Sequence, residues 1–193
     1  MERSALYRRA LAPVFTVAGI FGVVSALLGW LFQVGQTGSF VVWWLGVAAF
    51  GLVVAFLMIR RQAWQAGESF WTLPTKRVTA ALAPAITAGL VVTILIARLP
   101  LDSHSAILLL VAWWHLSYGL ALMSAGFFTP RGIRRLGGTF LCCGLVIAAL
   151  YGDPRAAFLI NPISQHLMMG VTFGLGHLLA AGWLRATEPS RES

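Results

Sequence analysis

A chain of 193 residues that is 59% hydrophobic and only 10% charged is not composed for water, because a soluble domain carries roughly 25% charged residues. Its net charge of +8 is split among short segments between apolar runs, with no motif of a binding fold, which argues against a nucleic-acid partner. Lipid is the solvent that fits, and the length suits one bundle with no soluble domain.

Crossing the hydrocarbon core as a helix takes about 20 apolar residues. Six runs qualify, at about 11–32, 40–59, 78–97, 106–128, 136–151 and 163–184. Strand-type alternation is absent, so the expected fold is all-α, a polytopic bundle of six transmembrane helices forming a single transmembrane domain. The first run follows Arg3, Arg8 and Arg9 and is too long for a signal-peptide core, so it reads as an uncleaved span. A polar turn, QVGQTGS, leads to the second.

The segment 60–77, RRQAWQAGESFWTLPTKR, is the longest between spans. It mixes Trp64, Phe70 and Trp71 with Arg60, Arg61, Lys76 and Arg77. Aromatic and basic residues together suit the headgroup layer, and the segment is the best place for a cytoplasmic protein partner to dock. Pro74 and Thr75 mark the start of helix 3, with Thr75 as its cap, and Pro84 should kink that helix. His104, in RLPLDSHS, is expected in solvent.

Helix 4 carries His115, Ser117, Tyr118 and Ser124 in an otherwise apolar run, with His115, Gly119, Leu122 and Gly126 along one stripe. Arg131, Arg134 and Arg135 separate it from helix 5, the shortest. Cys142 and Cys143 are adjacent on that helix and point apart, so they pack as small apolar groups rather than pair. The loop GDPRAAFLINP holds an apolar AAFLI that suits the interface. In helix 6, His166, Gly170, Gly174, His177 and Ala181 follow helical spacing, and Gly170 and Gly174 form a GxxxG pair that admits a close neighbour. Two glycine seams with histidines predict that helices 4 and 6 pack with their imidazoles inward. The tripeptides at Phe50, Tyr118 and Phe173 (FGL, YGL, FGL) hint at three repeated hairpins.

The charges orient the bundle. Arg3, Arg8, Arg9, Arg60, Arg61, Lys76, Arg77, Arg131, Arg134, Arg135, Arg185 and Arg191 fall on one side, and only Arg98 and Arg155 on the other. The positive-inside rule then predicts both termini in the cytoplasm, and the expected location, taken with the bacterial resemblance given below, is a bacterial inner membrane. Anionic lipids would gather at that basic face.

Intramembrane ionisable residues are candidate functional groups by default. His115, His177, His166 and Tyr118 are the candidates for ligand or cofactor contact. Haem b held by His115 and His177, or a quinone or solute beside them, is one reading. Interhelical hydrogen bonding by neutral imidazoles is the other, and it requires no cofactor. No metal site is expected. All six acids (Glu2, Glu68, Asp102, Asp153, Glu188 and Glu192) lie outside the spans, which argues against a carboxylate-coupled carrier.

Two resemblances bear on these residues. Ser117 and His177 lie on the two helices where rhomboid proteases place their serine–histidine dyad, but HLSYG stands where that family has GxSG, and no matching histidine–asparagine set is visible in helix 2. RRQAWQAGESFWTLPTKRVTAALAPAITAGLVVT, YGLALMSAGFFTPRGIRRLG and FGLGHLLAAGWL resemble an uncharacterised group of small six-span bacterial integral membrane proteins, over about residues 40–184. There the positions matching Phe70, Trp71, Pro74, Arg77, Gly174 and His177 look similar. The resemblance implies a topology and a setting beside winged-helix regulators, but no activity. The expected role is therefore a non-catalytic accessory or regulatory membrane subunit. Its cytoplasmic interface would be Arg60, Arg61, Trp64, Trp71, Lys76 and Arg77, and its helix packing would use Gly119, Gly126, Gly170 and Gly174. The alternative is a small-molecule-binding membrane protein using His115 and His177. Glycine seams serve oligomers as readily as internal packing, so the oligomeric state stays open.

Overall fold

In hydrocarbon every backbone N–H and C=O must be satisfied within the chain, and each long apolar run closes into helix. The computed structural model describes residues 3–129, 131–151 and 161–187; Arg155, Arg191 and the apolar stretch 156–160 lie outside them. The helices are α1 (Arg3–Leu31), α2 (Thr37–Gln65), α3 (Leu73–Arg98), α4 (Ser103–Ala125), α5 (Arg131–Ala149) and α6. Helix α6 runs through Pro162–Met169, a π-helical turn at Gly170–Leu175, and Gly176–Thr187. Among the described residues there is no strand, and six helices are long and apolar enough to cross a membrane.

The helices outrun the apolar runs at most ends, because hydropathy marks only the membrane-crossing part while backbone bonding continues through the flanking polar residues. Thus α2 carries Arg60, Arg61 and Trp64 on its last turns, leaving only a short link to α3. Helix α4 stops at Ala125, three residues short of the apolar run, with Gly126 as its C-cap. Helix α3 starts at Leu73 with Thr72, not Thr75, in the N-cap position and Pro74 in the first turn. Thr75 Oγ1 instead donates to the Phe70 carbonyl at 3.0 Å. Helix α4 has a true cap, since an Asp102 carboxylate oxygen accepts from the backbone N–H groups of His104 and Ser105, both at 3.0 Å.

Helices consecutive in the chain run antiparallel, and so do α1 and α6. Gly119 faces Gly137 and Leu141 across α4 and α5, while Gly126 faces Arg134. Along α1 and α6 the facing pairs are Gly19 with Gly174, Ala26 with Gly170 and Gly29 with His166. Alternation brings Arg60, Arg61, Lys76, Arg77, Arg134, Arg135 and Arg185 to one end of the bundle. Helix α4 is its hub: 61% of its spanning window is buried, against 11% for α2, and it packs on α3, α5, α6 and α2. The outer faces carry Ile20, Leu27, Val42, Leu52, Leu145 and Leu179, all exposed, as a lipid-facing surface requires.

The glycine seams do pack helices, but not against each other. A Cβ on Gly119 would lie 2.9 Å from the Gly137 carbonyl oxygen, and one on Gly137 would lie 2.9 Å from the Gly119 carbonyl oxygen. That reciprocal fit belongs to α4 and α5. Gly170 and Gly174 meet Ala26 and Val23 of α1 instead. Helices α4 and α6 touch through polar and aromatic side chains, because the glycine faces of both are taken by other neighbours.

Candidate functional site

The polar residues of α4 and α6 form two connected pairs inside an aromatic packing. His115 is fully buried. Its Nδ1 lies 2.7 Å from the Val111 carbonyl oxygen and its Nε2 lies 2.7 Å from Thr172 Oγ1. A carbonyl only accepts, so Nδ1 carries the proton and Nε2 of the neutral ring accepts from the threonine hydroxyl. That hydroxyl also sits 2.8 Å from the Met168 carbonyl, so one hydrogen is shared between two acceptors.

His177 repeats the arrangement one helical layer away. Its Nδ1 donates to the Phe173 carbonyl, and its Nε2 accepts from the Tyr118 hydroxyl at 2.7 Å. Phe140 and Phe173 stand between the two imidazoles, with ring centroids 5.6 and 5.0 Å from His115 and 5.8 and 6.3 Å from His177. Phe15 of α1 closes the far side, edge-on to His177 at 5.3 Å. A haem bound by both histidines would need these phenyl rings displaced and both Nε2 atoms released from their hydroxyl partners.

His166 belongs to a different site. Its Nε2 donates to the Val34 carbonyl at 2.8 Å, and its Nδ1 accepts from Trp44 Nε1 at 3.2 Å. An indole N–H only donates, so this ring is the opposite tautomer from the other two. Phe40 packs on it at 4.8 Å. Helical spacing put His166 and His177 on one stripe. The π-helical turn between them bonds one residue further along the chain, which changes the winding, and His177 faces α4 while His166 faces α1 and α2.

Ser117 and His177 are not brought together. Ser117 Oγ donates to the Trp114 carbonyl at 3.3 Å and lies against Gly89 of α3, whereas His177 is engaged by Tyr118. Ser117 and His177 therefore form no nucleophile–base pair. Among the described residues no group of three or more His, Cys, Asp or Glu side chains could hold a metal.

The second cluster is the basic end. Trp64 is 83% exposed and Trp71 and Leu73 more than half exposed, beside the exposed Arg60, Arg61, Lys76 and Arg77. Phe70 holds the link by packing edge-on to Phe56 at 5.0 Å. Arg185 reaches back to α1, donating to Thr16 Oγ1 at 2.8 Å, and the Arg135 guanidinium lies 5.6 Å over the Trp183 ring. Among the described residues no carboxylate pairs with Arg60, Arg61, Lys76 or Arg77.

Sequence reasoning missed Thr172, Phe140, Phe173, Phe15 and Trp44 as site residues. The signal for Thr172 was present, a hydroxyl on a span that already carried two histidines. The phenylalanines had none, since a ring against an imidazole reads like any apolar residue in a span. No protein-family model, curated protein or solved structure matches this chain, so its class rests on six membrane-length apolar helices around a polar, aromatic interior.

Proposed function

We propose that this integral membrane protein is a non-catalytic accessory or regulatory subunit of a bacterial inner membrane, with both termini in the cytoplasm. In this reading the basic end engages a cytoplasmic protein. One contrast carries it: the buried histidines are satisfied by the chain itself, whereas at one end Trp64, Arg60, Arg61, Lys76 and Arg77 are exposed and, among the described residues, the four cations have no carboxylate partner. Aromatic side chains and arginine are what protein interfaces use as anchors, and cations at one end set the orientation through the positive-inside rule. The resemblance to small six-span bacterial proteins supports the same setting.

The test places a photo-crosslinking residue at Trp64 or Trp71 in cells of the native host. The expected result is one discrete protein adduct from both positions and none from the lipid-facing Val42. Lipid adducts alone from all three positions would overturn the reading.

A further inference from the structure

Helices α1 and α2 pack on each other along one outer face of the bundle. A shallow apolar crevice on this face is lined by Val17, Ala18 and Phe21 on one side and Phe50, Gly51 and Val54 on the other. Phe21 and Phe50 meet at 4.6 Å and close one end. A Cβ added at Gly51 would meet nothing within 4 Å, so this wall of the crevice faces lipid. Seven residues beyond Val54 on α2, about 10 Å along the axis, stands Arg61. Seven residues is two turns, so Arg61 lies on the same line of the helix as Val54. Arg60 is rotated roughly 100° away from it. Arg61 is exposed and, among the described residues, has no ion-pair partner.

We propose that this crevice and Arg61 form a binding site for one anionic phospholipid. One acyl chain lies between α1 and α2, and the phosphate meets the Arg61 guanidinium. The apolar length sits at the depth of the upper acyl chain and the cation at the depth of the headgroup, which is how a phospholipid is built. Guanidinium and phosphate match in charge and in paired hydrogen-bond geometry. Diffuse attraction of anionic lipid to a basic surface would not distinguish Arg61 from Arg60, and this site does. The inference needs only that the chain lies in a bilayer and is independent of any protein partner.

Native mass spectrometry of the full chain, released from nanodiscs of mixed phosphatidylglycerol and phosphatidylcholine, tests it. The expected result is retention of one phosphatidylglycerol. Arg61→Gln should cut that retention about fivefold, the equivalent of roughly 1 kcal/mol for one basic residue near an anionic surface. Gly51→Leu, which fills the crevice without touching a charge, should lower it comparably, and Arg60→Gln should leave it unchanged. Equal losses for Arg60→Gln and Arg61→Gln would overturn the proposal in favour of diffuse surface charge. So would retention that Gly51→Leu does not affect, or equal retention of phosphatidylcholine.

Discussion

Each buried imidazole in this protein binds a backbone carbonyl with one nitrogen and a side-chain donor with the other. The two α4–α6 pairs differ in what remains when a partner is removed. Thr172 has the Met168 carbonyl as a second acceptor 2.8 Å away. The Tyr118 hydroxyl is the donor seen at His177 Nε2, so Tyr118→Phe leaves a buried acceptor unmet. We expect Tyr118→Phe to lower stability by about 1–2 kcal/mol, near the cost of a buried unsatisfied group. His115→Asn should lose about 0.6 kcal/mol, the average for an interhelical bond in a membrane. Unfolding in mixed micelles with increasing denaturing detergent measures both, and a larger loss for His115→Asn would contradict this ranking. That the histidines are buried inside spans was legible from sequence alone. Their tautomers were not, because a tautomer is set by which partner each nitrogen meets.

At the scale of the element, glycines decide how near two helices come. Gly119 and Gly137 each sit where a Cβ would strike the other's carbonyl oxygen at 2.9 Å. Gly137→Val should therefore force α4 and α5 apart at a cost of about 1–3 kcal/mol. Gly46→Val, in open space on α2, should change little. Measured in one unfolding series, comparable losses at both positions would refute the close approach. The cap of α4 supplies a pH dependence. Hydrogen bonds from Ser105, then from the His104 backbone N–H, hold the Asp102 carboxyl below its ordinary value near 3.8. A carboxylate whose folded pKa is depressed adds stability above its unfolded pKa and loses it as pH falls through the folded one. The thermal midpoint should thus fall slightly more on acidification below pH 4 in the native protein than in Asp102→Asn, which keeps a capping oxygen without the titration. The six helices were plain from sequence, but the GxxxG pair was assigned to the wrong neighbour. Spacing says that a face is small; it does not say which helix fills it.

At the scale of the whole molecule, α4 is buried by four neighbours while α2 and α3 lie at the periphery with apolar faces toward lipid. Polar substitutions should follow that asymmetry. Leu110→Asn, at a fully buried hub position, should prevent assembly of the folded bundle, whereas Thr37→Asn at the end of α2 should be tolerated, as reported by monodispersity after extraction. The basic end should control orientation. Replacing Arg60, Arg61, Lys76 and Arg77 together by Glu removes four positive charges flanking α2 and α3, and cysteine-accessibility mapping should then find that hairpin inverted or mixed in a share of molecules. An unchanged map would mean that the remaining basic segments suffice.

Composition and periodicity alone determined the solvent, the helical class, the number of spans and the segregation of charge, because each follows from apolar run length and from the chain order of a few cations. Only the tertiary structure decided which polar residues meet. It joined His115 to Thr172 and Tyr118 to His177, turned His166 away from His177 across a π-helical turn, and kept Ser117 away from His177. The reason is geometric. Hydrophobicity is non-directional and leaves its mark on a sequence as pattern, whereas hydrogen bonds and ring contacts depend on angles set by how six helices cross.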